Sequence, residues 1–547
     1  MTFLPEIFLQ QMKELLPSGE FEAFCKTYEE PTVRGLRFNR LKSQPVIAGL
    51  TRNLHVEDCK AKHTAISTNE TSSAAFRLEI AGQARNDEGY RNDGGNSIPW
   101  CPDGTLYPET ERPAKSIFYH TGLFYIQEPS AMCPVEVLKP EPGHRVLDLC
   151  AAPGGKSSQI AGFLQGQGLL VANDASPTRS RALVNNLERM GVTNAVITTE
   201  LPKKLADRFP EFFDRILIDA PCSGEGMFRR DADAVKAYTA NKPAACVAMQ
   251  QEILRYAAKM LKPGGRLVYS TCTFNMQENE EVICGFLESN SDFAAVHIDH
   301  HALGISPGLG NLPQAGRIFP HRATGEGHFL ALLERVAGAN INRTDEQPSS
   351  VIAGLTRNLQ ATTNKPSSSQ KPRSSFIYTN SDSPGFISHN MKIAGQARND
   401  GGCRNDGAAV TPPPKEFSDF CRTHLTCQLP TGIFISHGAN LYLQPEPLDL
   451  RGIRVARSGW FLGESAKGRF VPSWALAMGL RKQDVCYAVE LSEEDAFRYL
   501  RGESLNTDLA AADKPYVMMC YENYPLGWAR LVQGRLKNCL PVGLVTK

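Results

Sequence analysis

Residues Arg145-Val-Leu-Asp-Leu-Cys-Ala-Ala-Pro-Gly-Gly-Lys-Ser-Ser158 decide the fold. An apolar run ends near Asp148, a turn of small residues follows, and the chain then enters a helical pattern. A strand–turn–helix unit of this kind lets backbone N–H groups approach a ligand at the carboxyl end of a strand. Outward from it, short apolar runs recur at Leu169 to Asp174, Ala195 to Thr199, Arg215 to Asp219 and Arg266 to Thr271. Helical patterns lie between them, at Ser176 to Met190 and Val247 to Leu261. This alternation predicts an α/β fold, a parallel sheet with helices on both faces.

The turn leaves its ligand open. Gly155-Lys156-Ser157 fits the second half of a phosphate-cradling loop, but Cys150 stands where that loop needs its first glycine. The dinucleotide pattern Gly-x-Gly-x-x-Gly is missing too, so the turn points to a nucleoside-containing ligand of another kind or to a structural turn. Asp174 follows Lys156 by 18 residues and ends the next strand. A carboxylate there can accept from two ribose hydroxyls, or it can cap the helix that begins at Ser176-Pro177.

Two cysteines carry the chemistry. Phe213-Asp-Arg-Ile-Leu-Ile-Asp-Ala-Pro-Cys222 and Arg266-Leu-Val-Tyr-Ser-Thr-Cys272 each place a thiol just beyond a buried strand. That is the sheet edge where such folds bind substrate. Two thiols at neighbouring strand tips suit nucleophilic attack on an electrophilic ring carbon, and Asp219 lies within reach of a base edge. A free thiol is only a few per cent ionised at neutral pH, so the site must favour the thiolate.

Composition narrows the class. The chain has 547 residues, 41% of them apolar, with 59 Lys plus Arg against 58 Asp plus Glu. A length of this order predicts two or three domains, and the near-zero net charge confines any nucleic-acid surface to local patches. No apolar run approaches the ~18 residues of a membrane helix, and the start does not read as a signal peptide. The 15 cysteines include no Cys-x-x-Cys pair and no zinc spacing, so no metal is expected.

Repetition marks two segments. Val46-Ile-Ala-Gly-Leu-Thr-Arg-Asn-Leu54 recurs unchanged at Val351 to Leu359, and Ile80 to Gly94 recurs at Ile393 to Gly407 with 13 of 15 residues matching. Their surroundings are rich in Ser, Thr, Asn, Gly and Pro, and both segments, 45–96 and 345–412, read as disordered insertions. The expected organisation is an N-terminal block over 1–121, a central domain over 122–336, a linker over 337–412 and a C-terminal block over 413–547. In the last, basic residues interleave with Trp460, Phe461, Phe470, Trp474 and Trp528, a pattern suited to phosphate attraction and base stacking or to a core beside a basic face.

The motifs Ala151-Ala-Pro-Gly-Gly-Lys156, Asp219-Ala-Pro-Cys-Ser-Gly-Glu-Gly226, Ser270-Thr-Cys-Thr-Phe274 and Gly325-Glu-Gly-His-Phe329 closely resemble the Nol/Nop/Sun family of RNA cytosine-5 methyltransferases. The lead-in Gln127-Glu-Pro-Ser-Ala131 looks similar as well, and Arg34 to Asn39 and the C-terminal block resemble the flanking RNA-binding parts of its RsmF-like ribosomal-RNA members. The resemblance implies a Rossmann-like class I methyltransferase sheet, an N-terminal α+β RNA-binding subdomain and a C-terminal PUA-like domain. It implies S-adenosyl-L-methionine held by Cys150, Ala151, Ala152, Pro153, Gly154, Gly155 and Lys156, with Asp174 on the ribose and Asp219 between cofactor and base. It makes Cys272 the nucleophile on carbon 6 of cytosine and Cys222 the group that assists proton loss and release, with Lys156 reaching the base pocket. The family's acidic adenine contact, counted back 18 residues from Asp219, falls on Leu201, so the adjacent Glu200 takes that assignment. Arg229 and Arg230 would hold target-strand phosphates or cap the next helix. The expectation is a cytoplasmic monomer acting on small-subunit ribosomal RNA, with the same chemistry on transfer RNA or a non-catalytic ribosome-assembly factor as the alternatives.

Overall fold

The computed structural model describes residues 4–32, 34–42, 96–239, 242–337, 403–404, 412–466, 468–509 and 515–546. The two repeat-bearing segments lie outside them, apart from residue 96, the pair 403–404 and residue 412. The central domain runs β1 (Arg145–Asp148), α1 (Gly155–Leu164), β2 (Leu169–Asn173), α2 (Pro177–Arg189), β3 (Ala195–Thr198), α3 (Pro202–Arg208) and β4 (Phe213–Asp219). It continues through α4 (Lys242–Met260), β5 (Leu261–Thr271), α5 (Glu280–Ser289), β6 (Phe293–Val296), β7 (Gly316–Ile318) and β8 (His328–Arg335). Each predicted strand forms, within a few residues of its expected bounds.

Strands β3, β2, β1, β4 and β5 pair in that order and all in parallel. Side chains along a strand alternate between faces, and the two hydrophobic layers divide accordingly. Leu147, Ile216, Ile218 and Leu267 pack with Leu205, Ile253 and Ile283 of α3, α4 and α5. Val146, Leu170, Leu217 and Val268 pack with Ile160, Leu183 and Leu187 of α1 and α2. Full burial of each such side chain contributes about 1.5–3 kcal/mol. The sheet is mixed at its flanks: β8 lies antiparallel to β5, with β7 and β6 antiparallel on β8.

The other flank brings in the C-terminal chain. β9 (Arg454–Arg457) pairs antiparallel with β3, so this part of the C-terminal block extends the central sheet. Beyond it stand a four-stranded sheet from Ile433–His437, Asn440–Gln444, Trp460–Ala466 and Arg469–Pro472, and a five-stranded sheet centred on Tyr516–Tyr521 and Tyr524–Val532. The N-terminal block forms helices Glu6–Leu15 and Glu20–Lys26 and a four-stranded antiparallel sheet. Its last strand, Phe124–Ile126, pairs with Arg34–Phe38 and so completes that sheet beyond residue 121.

The aromatic C-terminal residues turn inward. Trp460, Phe470, Trp474 and Trp528 are buried, and the three indole N–H groups donate to the carbonyls of Ala475, Leu526 and Ser473. They build a core and offer no face to stack a base; of the five, only Phe461 stays half-exposed, tilted against Tyr442. Among the described residues no helix is long and apolar enough to cross a membrane.

One buried ion pair fixes the loop that follows β5. Arg317 on β7, 1% exposed, donates to both oxygens of Glu280 at 2.6 and 2.5 Å and to the Phe274 carbonyl at 2.8 Å. Removing one partner of such a pair leaves an uncompensated buried charge, whereas replacing both with apolar side chains does not. Arg317→Ala should therefore cost about 3–5 kcal/mol of stability in urea unfolding, and Arg317→Met combined with Glu280→Met far less. Equal losses in the two variants would contradict this account.

Candidate active site

The turn after β1 is braced from three sides. The N–H of Ala151 donates to the Asn173 carbonyl at 2.8 Å, and that of Ala152 to Asp174 Oδ2 at 3.2 Å. Gly154 adopts φ +110°, the left-handed region that favours glycine, and opens α1. Arg37, buried in the N-terminal sheet, donates to Gln127 Oε1, the Gly155 carbonyl and Ser158 Oγ at 3.0, 3.1 and 2.8 Å. Asn39 donates to the carbonyls of Gly122 and Met190, both at 2.8 Å. The Arg34 to Asn39 segment thus fastens the N-terminal block to the turn after β1, and Arg37 and Asn39 do not face a solvent-side RNA.

At the tip of β1, Asp148 accepts from Ser157 Oγ at 2.6 Å through Oδ2, and its buried Oδ1 has no partner among the described residues. Burial pushes this carboxyl up to about 7, against the hydrogen bond from Ser157. Asp174, also buried, binds the N–H groups of Ala152 and Ser176 and lies 3.4 Å from Arg179 Nη2. Burial raises its carboxyl, and Arg179 opposes that rise. Arg179 was not legible as a site residue; it also donates to the Ala152 carbonyl at 2.8 Å, tying α2 to the turn. An orphaned carboxylate oxygen and a strand-tip aspartate around a small-residue turn fit a ligand with an ammonium group and ribose hydroxyls.

Glu200 serves a different contact from the expected one. Its carboxylate, 1% exposed, accepts from the Leu201 N–H, Lys204 and both the backbone and the guanidinium of Arg454 at 3.1–3.4 Å. Burial would raise this carboxyl, but the Arg454 and backbone hydrogen bonds prevail and hold it lower. It anchors β9 to β3 and presents no open oxygen to an adenine, while Leu201 beside it is exposed. Arg229 is likewise internal, paired with Glu326 at 3.2 Å with both side chains buried.

The two predicted cysteines meet. The Sγ atoms of Cys222 and Cys272 lie 3.4 Å apart, because β4 and β5 are adjacent parallel strands in which Asp219 sits opposite Ser270. The loops are laced together by Ser223 Oγ and Thr273 Oγ1 at 2.7 Å, the Gly226 N–H on the Cys272 carbonyl at 2.9 Å, and the Phe274 N–H on Glu225 at 2.9 Å. A Cβ at Gly226 would come within 3.0 Å of the Cys272 carbonyl oxygen. The hydrogen bond with Cys272, with burial added, pushes the Cys222 thiol well above its ordinary range. Cys222 therefore stays protonated and can donate to the sulfur of Cys272.

Beside the sulfurs, Lys156 Nζ donates to Asp219 Oδ2 at 2.7 Å and Ser270 Oγ to Asp219 Oδ1 at 2.9 Å. Burial would raise the Asp219 carboxyl, but Lys156 and His328 outweigh it and hold it well below the carboxylate range. Burial works against the Lys156 ammonium too, and Asp219 overcomes it. The pair is a carboxylate and an ammonium. Ser270 lies inside a quoted motif, yet nothing in the sequence singled out its hydroxyl.

Known proteins match this chain along most of its length. The family described as 16S rRNA methyltransferase RsmB/F matches residues 135–334. The N-terminal domain of 16S rRNA methyltransferase RsmF matches 51–129, which takes in most of the first repeat-bearing segment. The RsmF rRNA methyltransferase first C-terminal domain matches 419–480, and the methyltransferase RsmF PUA domain matches 486–546. A protein of Erwinia tasmaniensis named ribosomal RNA small subunit methyltransferase F is 31% identical over 557 residues, covering 100% of this chain and 97% of its own. One of the same name from Shewanella loihica is 30% identical over 82% of this chain and 83% of its own. A solved methyltransferase homologue from Pyrococcus horikoshii is 28% identical over 61% of this chain and 100% of its own, with a TM-score of 0.44.

Asp148 gives the site a pH signature. Its unfolded value is about 3.9 and its folded value is raised, so between pH ~4 and ~7 the folded protein binds the extra proton. Its contribution is full below pH ~4 and is lost as pH rises to ~7, by at most about 4 kcal/mol (~1.4 kcal/mol per pH unit). Asp148→Asn should therefore gain stability relative to the parent chain across that window, read by urea unfolding at each pH. A constant difference between the two proteins would contradict the assignment.

Proposed function

The chain belongs to the 16S rRNA methyltransferase RsmB/F family and is a methyltransferase of the RsmF type, and on that premise we propose that it forms 5-methylcytosine in small-subunit ribosomal RNA, using S-adenosylmethionine, in the cytoplasm. The observation that carries the cytosine-5 reading is the pair of sulfurs 3.4 Å apart beside the Lys156–Asp219 ion pair. A methyltransferase acting on an oxygen or an amine needs neither thiol. Carbon 5 of cytosine is a poor nucleophile until a thiolate adds to carbon 6.

The residues divide the work as follows. The turn from Cys150 to Lys156, Asp148 and Asp174 would hold the cofactor, whose chemistry is an electrophilic methyl group on a sulfonium centre. Cys272 attacks carbon 6 of a cytosine that is unpaired or swung out of its stack. In the resting site Cys222 donates a hydrogen bond to the Cys272 thiolate. Once that sulfur is bonded to carbon 6, Cys222 gives its proton to solvent and as a thiolate takes the carbon 5 proton, and the carbon 6–sulfur bond breaks with Cys272 leaving as a thiolate. Asp219 and Lys156 hold the pyrimidine edge, where the ammonium offsets the negative charge that builds on the ring.

The five-stranded C-terminal sheet supports an RNA grip, in smaller measure than its sequence promised. Arg451, Arg454, Arg457, Arg481 and Lys482 are paired with Asp449, Glu200, Glu188, Asp484 and Glu490. Arg530 and Lys537 instead face each other across a hairpin, exposed, with Arg535 two residues before Lys537 on the same strand. Like charges directly opposite repel, and a phosphate between them removes that cost.

Incubation with methyl-labelled S-adenosylmethionine and small-subunit RNA or subunits, followed by digestion to nucleosides and mass spectrometry, tests the proposal. Label should appear in 5-methylcytidine, and Cys272→Ala should lower the rate by about 10³-fold or more. Label in another nucleoside, or a Cys272→Ala protein of full rate, would contradict it.

A further inference from the structure

One buried polar side chain beside the site carries no step of the reaction above, though it helps to keep Asp219 ionised. His328 opens β8 with Ile318 opposite it on β7, one step beyond the Phe329–Thr271 pair that joins β8 to β5. It is 4% exposed, and its Nε2 lies 3.5 Å from Asp219 Oδ1. That approach is longer than an ordinary hydrogen bond, and Nδ1 has no partner among the described residues. Its neighbours in the chain leave it little choice of place. Gly327 adopts φ +119°, and a Cβ there would fall 2.4 Å from the Phe274 ring.

An imidazole in such a place costs free energy that an apolar side chain would not. The acid pressed against it is Asp219, whose side chain keeps 32% of its surface exposed while those of Lys156 and His328 keep 10% and 3%. Two donors, Lys156 and Ser270, and the His328 ring thus converge on the carboxylate from the protein side and leave its outer edge open.

We propose that His328 is a positioning residue for Asp219: with Ser270 it fixes the Oδ1 edge, so that the carboxylate keeps one orientation when it exchanges contacts with the base. The Nε2–H tautomer is the one that can donate to Oδ1. Ser270 alone, a rotatable hydroxyl on one oxygen, does not fix the plane of the carboxylate. This inference rests on the reading of Asp219 as the contact to the pyrimidine edge.

The test uses the full chain with His328→Leu and His328→Gln, the latter keeping a side-chain N–H. Steady-state kinetics would be measured with S-adenosylmethionine and small-subunit RNA, together with the rate of covalent RNA attachment in a Cys222→Ala background. His328→Leu should lower kcat and the attachment rate together by about 10- to 100-fold, leave KM for S-adenosylmethionine within about twofold, and be largely rescued by His328→Gln. A Leu variant of full kcat overturns the inference. So does one that loses kcat, affinity and thermal stability together with no rescue by Gln, which marks a packing role. Absence of 5-methylcytidine from wild-type reactions overturns the proposed function and this inference with it, whereas wild-type product with an unaffected Leu variant overturns the inference alone.

Discussion

Two sulfur atoms reach 3.4 Å only because β4 and β5 are hydrogen-bonded neighbours running the same way. Asp219 opposite Ser270 sets the register, and each chain then needs only two or three more residues to deliver its cysteine. Shift either strand by one residue and its side chains change faces, which would part the sulfurs and turn Asp219 away from Lys156. The continuous apolar runs that bury both faces of these strands are therefore also what sets the reactive geometry. The lacing between the loops, through Ser223, Gly226, Thr273 and Phe274, carries that register past the end of the sheet.

The flanking blocks act on the site as braces. Phe8 and Phe24 of the first two helices pack on Phe228 and Phe274, which follow the two cysteines in the chain. Gln11 bonds Glu225 and Asn275 in the same loops. On the other side Arg37 holds the first turn of α1, and Arg454 on β9 pins the end of β3 through Glu200. These contacts join residues more than 100 positions apart, so a site whose residues all lie in the central domain is braced by the other two blocks.

The parallel core was legible in the sequence because its strands are buried on both faces and read as unbroken apolar runs, and because a cysteine beyond such a run is out of place unless it acts. Cys222, Cys272 and Asp219 fell out of that reading, Lys156 came from the family resemblance, and the four lie side by side. Glu200 did not survive it, since counting residues along one chain cannot reveal Arg454, 254 positions away, closing on the carboxylate. The aromatic C-terminal residues failed for a related reason: the same interleaving of Trp and Arg describes a stacking platform and a core with a charged rim, and only the partners of the three indole N–H groups separate them. Arg37 and His328 were invisible because what marks them is long-range, one through a carbonyl in α1 and the other through the antiparallel pairing of β8 with β5.

The claim on which the rest turns is that Cys272 bonds to the base and Cys222 is needed to undo that bond. Denaturing gels of wild type, Cys222→Ala, Cys272→Ala and the double variant, each incubated with S-adenosylmethionine and small-subunit RNA, test it directly. A slow-migrating RNA-linked band should accumulate in Cys222→Ala alone and vanish when Cys272 is also replaced. A band that persists without Cys272, or none in any variant while the wild type methylates RNA, would contradict the two-cysteine account.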